Sequence, residues 1–213
     1  MRNLFFITLI FLITGCMTTS YQTVNNVNSE TKPDPPFSKN VIYRVADDLY
    51  KEAPDCILIW PTRDPKMPDV EAAVARFASG RFIRVIGPNI RDREAKKRGL
   101  NIENVTDLKT LSHKLKCSSG LQITAGRKSR DYLVVWSQQS LFLTLTLKSV
   151  NSDKILWQAQ HTASRSSGGL PLSPVSLAIN AAEAGLHQAD KDVADSLIDD
   201  ALRRMIITLP DLR

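Results

Sequence analysis

Apolar residues in this chain recur in two spacings, one typical of buried strands and one typical of helices. Residues 56–60 are continuously apolar and stop at Pro61, which predicts a strand buried on both faces. Residues 82–86 and 121–126 predict two further strands. Between these strands, the spacing of apolar residues or the high charge predicts helices over 69–80, 90–98 and 105–116.

The second half of the chain changes to strict alternation. Leucines at every second position from 141 to 147 predict a half-buried strand, and residues 151–153 predict a turn. The return strand is expected to place four residues on one face: Ile155, Trp157, Ala159 and His161. Together the two segments predict an antiparallel hairpin.

Three more segments complete the prediction. Residues 41–51 predict a short helix with Val41, Val45 and Leu49 on one face. Residues 165–171 predict a Ser/Gly-rich loop. The chain after residue 174 is predicted to be helical, with an apolar stripe that consists of Val193, Leu197, Ala201 and Met205.

This order of elements predicts an α/β fold. Strands that alternate with helices normally form parallel pairs through crossover connections. We therefore expect one domain over residues 41–213, built in two or three layers around a mixed sheet. Parallel crossovers come first in that sheet, an antiparallel hairpin follows, and helices close the domain at its C-terminus.

The first fifteen residues carry a different pattern, that of an export signal. Arg2 supplies positive charge, residues 4–13 are apolar except for Thr8, and Gly15 is a small residue placed before Cys16. The segment resembles the lipobox of bacterial lipoproteins, in which the cysteine is acylated and becomes the first residue of the mature protein. The alternative is an uncleaved membrane helix, which needs about 20 apolar residues, more than this run provides.

The resemblance implies a lipid anchor at Cys16 and a mature protein outside the cytoplasm. Residues 16–40 are polar, contain several prolines and predict a flexible tether. In typical Gram-negative lipoproteins, an aspartate after the cysteine retains the protein at the inner membrane. Met17 occupies that position here, which favours the periplasmic face of the outer membrane over the inner membrane.

The net charge of the chain indicates which classes of partner it could bind. The chain has a formal net charge of +6, and removal of residues 1–15 takes away only Arg2 and leaves +5. A mildly basic balance suits anionic surfaces such as lipid headgroups or cell-wall polymers. The charge is too small and too dispersed to predict nucleic-acid binding, which export also disfavours.

Cys56 and Cys117 remain once Cys16 carries lipid, an even pair in an oxidising compartment. Cys56 is the first residue of the strand predicted over 56–60, and Cys117 lies just before the strand predicted over 121–126. Parallel strands begin at the same edge of a sheet, so neighbouring strands would bring the two sulfurs within bridging range. We predict a disulfide; two separate buried thiols are the alternative.

The sequence predicts no catalytic set, no cofactor and no metal site. None of the three histidines has a partner at metal-ligand spacing, and no Gly-x-Ser-x-Gly motif is present. Paired aspartates lie on predicted helices, where a solvated face accounts for them. A binding protein is therefore favoured over an enzyme.

Two segments are candidate interaction sites. The densest positive charge lies on the helix predicted over 90–98 and comprises Arg91, Arg93, Lys96, Lys97 and Arg98. It predicts either contact with an anionic surface or, as the favoured interpretation, a solvated helix face. The second candidate is the predicted Ser/Gly-rich loop, represented by Arg165, Ser166, Gly168, Gly169 and Leu170.

The order of elements resembles a superfamily of periplasmic assembly lipoproteins. This group includes the curli-secretion lipoprotein, the Pel-polysaccharide lipoprotein and the lipoprotein activators of penicillin-binding proteins, and the amino-terminal domain of TolB is similar. The likeness spans about residues 54–207 and is carried by residues 57–61, residues 121–126 and the hairpin over 143–157, in which Ser152 and Asp153 form the turn. The family brings no catalytic residues to transfer.

The resemblance implies an accessory or assembly factor of an envelope secretion, polysaccharide or cell-wall machine. Its expected partners are the lipid bilayer, through acylated Cys16, and an envelope protein complex, with a second copy of the chain as a further candidate. Two alternatives stay open: an envelope enzyme such as a cell-wall hydrolase, and a carrier of a lipid or small ligand.

Overall fold

The computed structural model describes residues 19–23, 40–63, 67–133, 136–168 and 191–213. Seven strands in these ranges form one mixed sheet, and five helices accompany it. The strands are β1 (Ser20–Thr23), β2 (Asn40–Val45), β3 (Cys56–Ile59), β4 (Arg84–Ile86), β5 (Ser119–Leu133), β6 (Trp136–Ser149) and β7 (Ile155–Gly168). The helices are α1 (Asp48–Lys51), α2 (Pro68–Ala78), α3 (Pro88–Arg98), α4 (Val105–Lys114) and α5 (Lys191–Ile206).

The strand order across the sheet is β1-β2-β7-β6-β5-β3-β4. The pairs β3–β4, β3–β5 and β1–β2 are parallel, whereas β5, β6, β7 and β2 pair antiparallel in succession. The predicted α/β class with a mixed sheet is confirmed. The strands predicted over 56–60 and 121–126 belong to β3 and β5. They are neighbours in the sheet, and Ile57 pairs with Ser119.

Two hydrophobic clusters lie on opposite faces of the sheet. The larger one includes the leucines of β6 and the buried residues of α2 and α5, such as Val74, Leu202 and Met205. The smaller cluster lies where α3 and α4 pack on β3 and β4, around Leu58 and Leu111. The helices therefore cover one face widely and the other face only over β3 and β4.

The alternation in the hairpin is confirmed on β6, whose four leucines between 141 and 147 are all buried. The return strand differs. The register shifts beside Leu147, so that Leu156 and Trp157 are both buried and Ile155 is 38 % exposed. A bulge places two adjacent side chains in the core, and simple alternation does not anticipate it.

Three segment predictions are wrong in their structure. Residues 41–45 belong to β2, in which Val41 is buried and pairs with His161; only Asp48–Lys51 is helical. Ser20–Thr23, inside the predicted tether, pairs with β2 through its backbone while its four residues stay exposed. The predicted loop at 165–171 begins as strand, because β7 continues to Gly168.

The C-terminal stripe is confirmed at Leu197, Ala201 and Met205, all buried against the sheet. Cys16, Gly169 and Leu170 lie outside the described residues. In the ranges given above, no helix has the length and hydropathy that a membrane span requires.

Candidate functional site

The predicted basic cluster separates into one buried and four exposed residues. Arg91 is 2 % exposed, so the prediction that it belongs to an interaction surface is wrong. Arg93, Lys96, Lys97 and Arg98 are exposed, and Arg98 pairs with Glu94 one turn away. Three of these lie in the last turn of α3, where positive charge stabilises the carbonyl end of a helix.

Arg91 is the centre of a buried polar network. Its Nη2 donates to Oε2 of Glu71 at 2.8 Å, and its Nη1 donates to the carbonyl of Ile59 at 3.0 Å. Oε1 of Glu71 accepts from the amide and the hydroxyl of Thr62, at 2.7 and 2.8 Å. The network ties α2 and α3 to the loop that follows β3, and so fixes the conformation of that loop.

Arg165, predicted to lie on a free loop, instead contacts α5. Its Nη1 donates to the hydroxyl of Ser196 at 2.6 Å. The backbone of Ser166 and Gly168 continues β7 opposite Gln138 and Trp136. These residues therefore belong to the sheet, not to a loop with free backbone groups.

Cys56 and Cys117 form a disulfide, with Cα atoms 4.5 Å apart. Cys56 is the first residue of β3, and Cys117 lies two residues before β5, its parallel neighbour. The two half-cystines are buried in the smaller cluster. The disulfide joins the first residue of β3 to the segment just before β5, at the edge of the sheet where both strands begin.

One face of the four neighbouring strands β2, β7, β6 and β5 carries side chains that belong to neither cluster. Register places Ile42, Gln160, Thr144 and Thr124 in one row across β2, β7, β6 and β5. The adjacent row is Arg44, Gln158, Thr146 and Gln122, in which Nε2 of Gln158 donates to Oγ1 of Thr146 at 3.3 Å. Lys148 continues the same face along β6. We call this surface the open face.

The open face is mainly polar, with Ile42 as an apolar residue in its first row. Thr124 is exposed, and most of the other side chains are half-buried by their neighbours in the sheet. Among the described helices, those that pack on β5, β6 and β7 contribute to the larger cluster, on the opposite side. Amide and hydroxyl groups both donate and accept hydrogen bonds, so the surface is suited to a polar partner.

A cleft of about 310 Å³ opens where the open face meets the loop after β3. Four separate segments line it: that loop, the first turn of α4, strand β5 and the β6–β7 hairpin. Its lining includes Trp60, Arg63, Val105, Gln122, Lys148 and Asp153. We call it the Trp60 cleft. The sequence alone does not indicate this cleft, because no single segment carries more than a few of its residues.

Trp60 is fixed in this cleft by its backbone and by a glycine. Its amide donates to the carbonyl of Leu121 at 2.9 Å, which prolongs the β3–β5 pairing. The indole lies against Gly120, where the Cβ of any other residue would overlap the ring. Trp60 is 7 % exposed, and its Nε1 is buried without a hydrogen-bond partner among the described residues. An unsatisfied buried donor costs about 1–3 kcal/mol.

Some of the charged side chains around the cleft form ion pairs and others do not. Nζ of Lys109 lies 2.5 Å from Oδ2 of Asp153 and neutralises that carboxylate. Arg63 and Lys148 make no ion pair within the part of the chain that the structure describes. The cleft therefore combines two cations, one donor without an acceptor, and apolar lining from Val105.

The other titratable groups in the core are held by structural contacts. His161 is 3 % exposed, and its Nδ1 lies 2.8 Å from the carbonyl oxygen of Asn40. No group of three or more metal-ligating side chains occurs in the described ranges. A second depression between α2 and α5 is lined by Asp69, Asp195 and Asp199 together with Arg76, which pairs with Asp199 at 2.5 Å.

No protein-family model matches the chain, and no curated protein matches it. Solved structures do match. PelC from Paraburkholderia phytofirmans, solved as a dodecamer, is 15 % identical, with 71 % of this chain and 88 % of that chain covered and a TM-score of 0.38. Lipoprotein GNA1162 from Neisseria meningitidis is 18 % identical, with 63 % and 96 % covered and a TM-score of 0.40. A minor lipoprotein from Acinetobacter baumannii is 13 % identical, with 73 % and 90 % covered and a TM-score of 0.42.

Two of these three structures are lipoproteins by name. At these identities and TM-scores they assign no function to this chain.

Proposed function

We propose that this protein is an outer-membrane lipoprotein that works by binding, as an accessory or assembly factor of an envelope machine. The observation that supports this best is the open face, a mainly polar surface that continues into the Trp60 cleft at Lys148 and Gln122. A rigid sheet presents its side chains with little loss of conformational entropy on binding. The partner would be a component of a secretion, polysaccharide or cell-wall machine.

The geometry favours binding in a further respect. The buried ion pair of Arg91 and Glu71 is closed by hydrogen bonds from Thr62 and to Ile59. Its groups position a loop, and Thr62 is the member of the network that also lines the Trp60 cleft. The solvent-facing polar groups of the open face instead form an extended hydrogen-bonding surface, as a protein interface requires.

Site-specific photocrosslinking in intact cells tests the proposal. A photoreactive residue at Thr124 or Thr144, on the open face, is expected to capture an envelope protein, which mass spectrometry then identifies. Ser79 is exposed at the end of α2, a helix that packs on the larger cluster on the opposite face of the sheet, and is the matched control. Capture of the same protein from Ser79, or no capture at either open-face position, would contradict the assignment of this face.

Two further positions separate the remaining interpretations. A photoreactive residue at Lys97 tests the exposed residues of the basic helix, for which a solvated helix face is the favoured interpretation. A product at twice the mass of the chain from Thr144 would identify a second copy as the occupant of the open face. Either result would replace the envelope complex as the proposed partner.

The lipid anchor is tested separately. We propose that Cys16 is acylated after cleavage at Gly15 and that its acyl chains anchor the domain to the membrane. Two or more acyl chains give stable anchoring, so the Cys16→Ser protein should become soluble in the periplasm. Retention of this variant in the membrane fraction after a high-salt wash would show that another contact holds the protein there.

A further inference from the structure

We infer that the Trp60 cleft binds a carboxylate in an acidic segment of the partner protein. The inference rests on the proposed function and names the chemistry by which one part of the surface recognises its partner. Its starting point is the indole N–H of Trp60, a buried donor for which the described residues supply no acceptor. The N–H is packed against Gly120, so an acceptor in the cleft that Trp60 lines reaches it only if the ring turns toward that cleft.

Two cations favour a negatively charged acceptor. Arg63 and Lys148 line the cleft and make no ion pair in the described ranges. Hydrogen bonds between charged groups are shorter and stronger than those between neutral groups. A carboxylate bound by these two side chains would gain such bonds within the cleft that Trp60 also lines.

The remaining lining favours a peptide carboxylate over a phosphate. Asp153 lies at the cleft, and although Lys109 pairs with it at 2.5 Å, its charge repels a dianion more than a monoanion. Val105 and Leu108 add apolar surface that suits the hydrocarbon part of glutamate or leucine. Gln122 and Thr124 provide hydrogen-bonding groups for the backbone of the same segment.

The indole N–H resonance of Trp60 reports on this site directly. The chain has three tryptophans, and the variants Trp60→Phe and Trp157→Phe assign two of the indole signals. The full chain in detergent is titrated with a labelled peptide of alternating glutamate and leucine, and separately with its glutamine counterpart. We expect the glutamate peptide to move the Trp60 signal downfield and to leave the Trp157 signal in place, because that N–H already donates to Thr208 in the core.

Affinity for the same peptide gives the energetic test. Lys148→Gln should weaken binding about tenfold and Trp60→Phe several-fold, the usual range for losing one hydrogen bond to a charged group. The matched controls are Lys97→Gln on exposed α3 and Trp157→Phe in the core, and both should bind within about twofold of the wild type. Equal loss in Lys97→Gln would show general attraction to positive charge and would overturn the inference.

Inorganic phosphate and glycerol phosphate distinguish the other anions. If either moves the Trp60 signal as far as the peptide does, the cleft is a phosphate site and the inference is wrong. No movement with the glutamate peptide also overturns it. The proposed function is judged apart from this result, because crosslinking from Thr144 in cells does not depend on occupancy of the cleft.

Discussion

Arg91 and Glu71 form an ion pair inside the protein. Nη2 of Arg91 lies 2.8 Å from Oε2 of Glu71, and their side chains are 3 % and 6 % exposed. The pair connects two helices that are separated by a β-strand in the chain, and through Thr62 and Ile59 it holds the loop that carries Trp60. A charged residue in a basic helix thus acts as part of the core.

Removal of one partner should destabilise the fold strongly. Arg91→Met leaves the carboxylate of Glu71 buried without its counter-charge, a change that typically costs about 3–5 kcal/mol. Arg93→Met, on the exposed face of the same helix, should change the free energy of unfolding by no more than about 0.5 kcal/mol. Urea unfolding of the two variants measures the difference, and equal effects would contradict the structural role of Arg91.

The disulfide between Cys56 and Cys117 should contribute measurably to stability. It closes a loop with a sequence separation of 61, for which the chain-entropy model gives about 4 kcal/mol as an upper value. The double variant Cys56→Ala/Cys117→Ala should therefore unfold at lower urea, by about 2–4 kcal/mol in free energy. Thiol labelling of the unfolded, unreduced protein is the check, and two reactive thiols besides Cys16 would refute the disulfide.

The sequence predicts correctly those elements in which the spacing of nearby apolar residues alone determines which side chains are buried. The leucines of β6 face the core because alternation in a strand exposes one face and buries the other. The spacing of Val41, Val45 and Leu49 fits a helix, yet Val41, Tyr43 and Val45 also fit a strand. Pairing of β2 with a partner more than a hundred residues away decided between them.

The candidate site was harder to predict because its residues meet only through long-range contacts. Arg91 resembles its charged neighbours in sequence, but its partners Glu71 and Ile59 lie 20 and 32 residues away. The continuously apolar residues 56–60 predict a buried strand, and nothing in the sequence indicates that the N–H of Trp60 lacks an acceptor. The position of Trp60 between β5 and α4 follows from the sheet order, which single-sequence patterns do not specify.

Gly120 should be essential for the shape of the Trp60 cleft. A Cβ at this position would overlap the indole of Trp60, so Gly120→Ala should displace the ring and cost about 1–3 kcal/mol. Gly126, on the same strand, has open space where a Cβ would lie, with no neighbouring atom within 4 Å, so Gly126→Ala is the matched control and should be tolerated. Chemical denaturation and the Trp60 indole resonance report the two effects. A perturbed resonance in both variants would contradict the close approach.

The contact between α1 and the start of β7 should make stability depend on pH. Nζ of Lys154 lies 2.8 Å from Oδ2 of Asp48. The hydrogen bond from Lys154, followed by its charge, holds the pKa of Asp48 below its ordinary value of 3.8, and the same contact raises the pKa of Lys154 above 10.5. The contact is therefore strongest when Asp48 is ionised and Lys154 is protonated.

Linkage gives the sign of the effect at each end of this window. Because the folded state binds the proton of Asp48 less tightly than the unfolded state, the stabilisation is complete above pH 3.8 and is lost as the pH falls through the lowered pKa. For Lys154 the stabilisation is complete below pH 10.5 and is lost as the pH rises through the raised pKa. Between these limits Asp48→Asn should lower the urea midpoint by a constant amount.

Urea unfolding from neutral pH down to about pH 2.5 tests this dependence. The difference between wild type and Asp48→Asn should narrow as the pH falls below 3.8, and high salt should reduce it because the pair is exposed. The matched background is Lys154→Gln, in which Asp48→Asn should have a much smaller effect at any pH, since the hydrogen bond and the charge of Lys154 are gone and only the charge of Lys51 still lowers the pKa of Asp48. A difference that persists unchanged at the lowest pH, or in the Lys154→Gln background, would mean that Asp48 stabilises the protein through another contact.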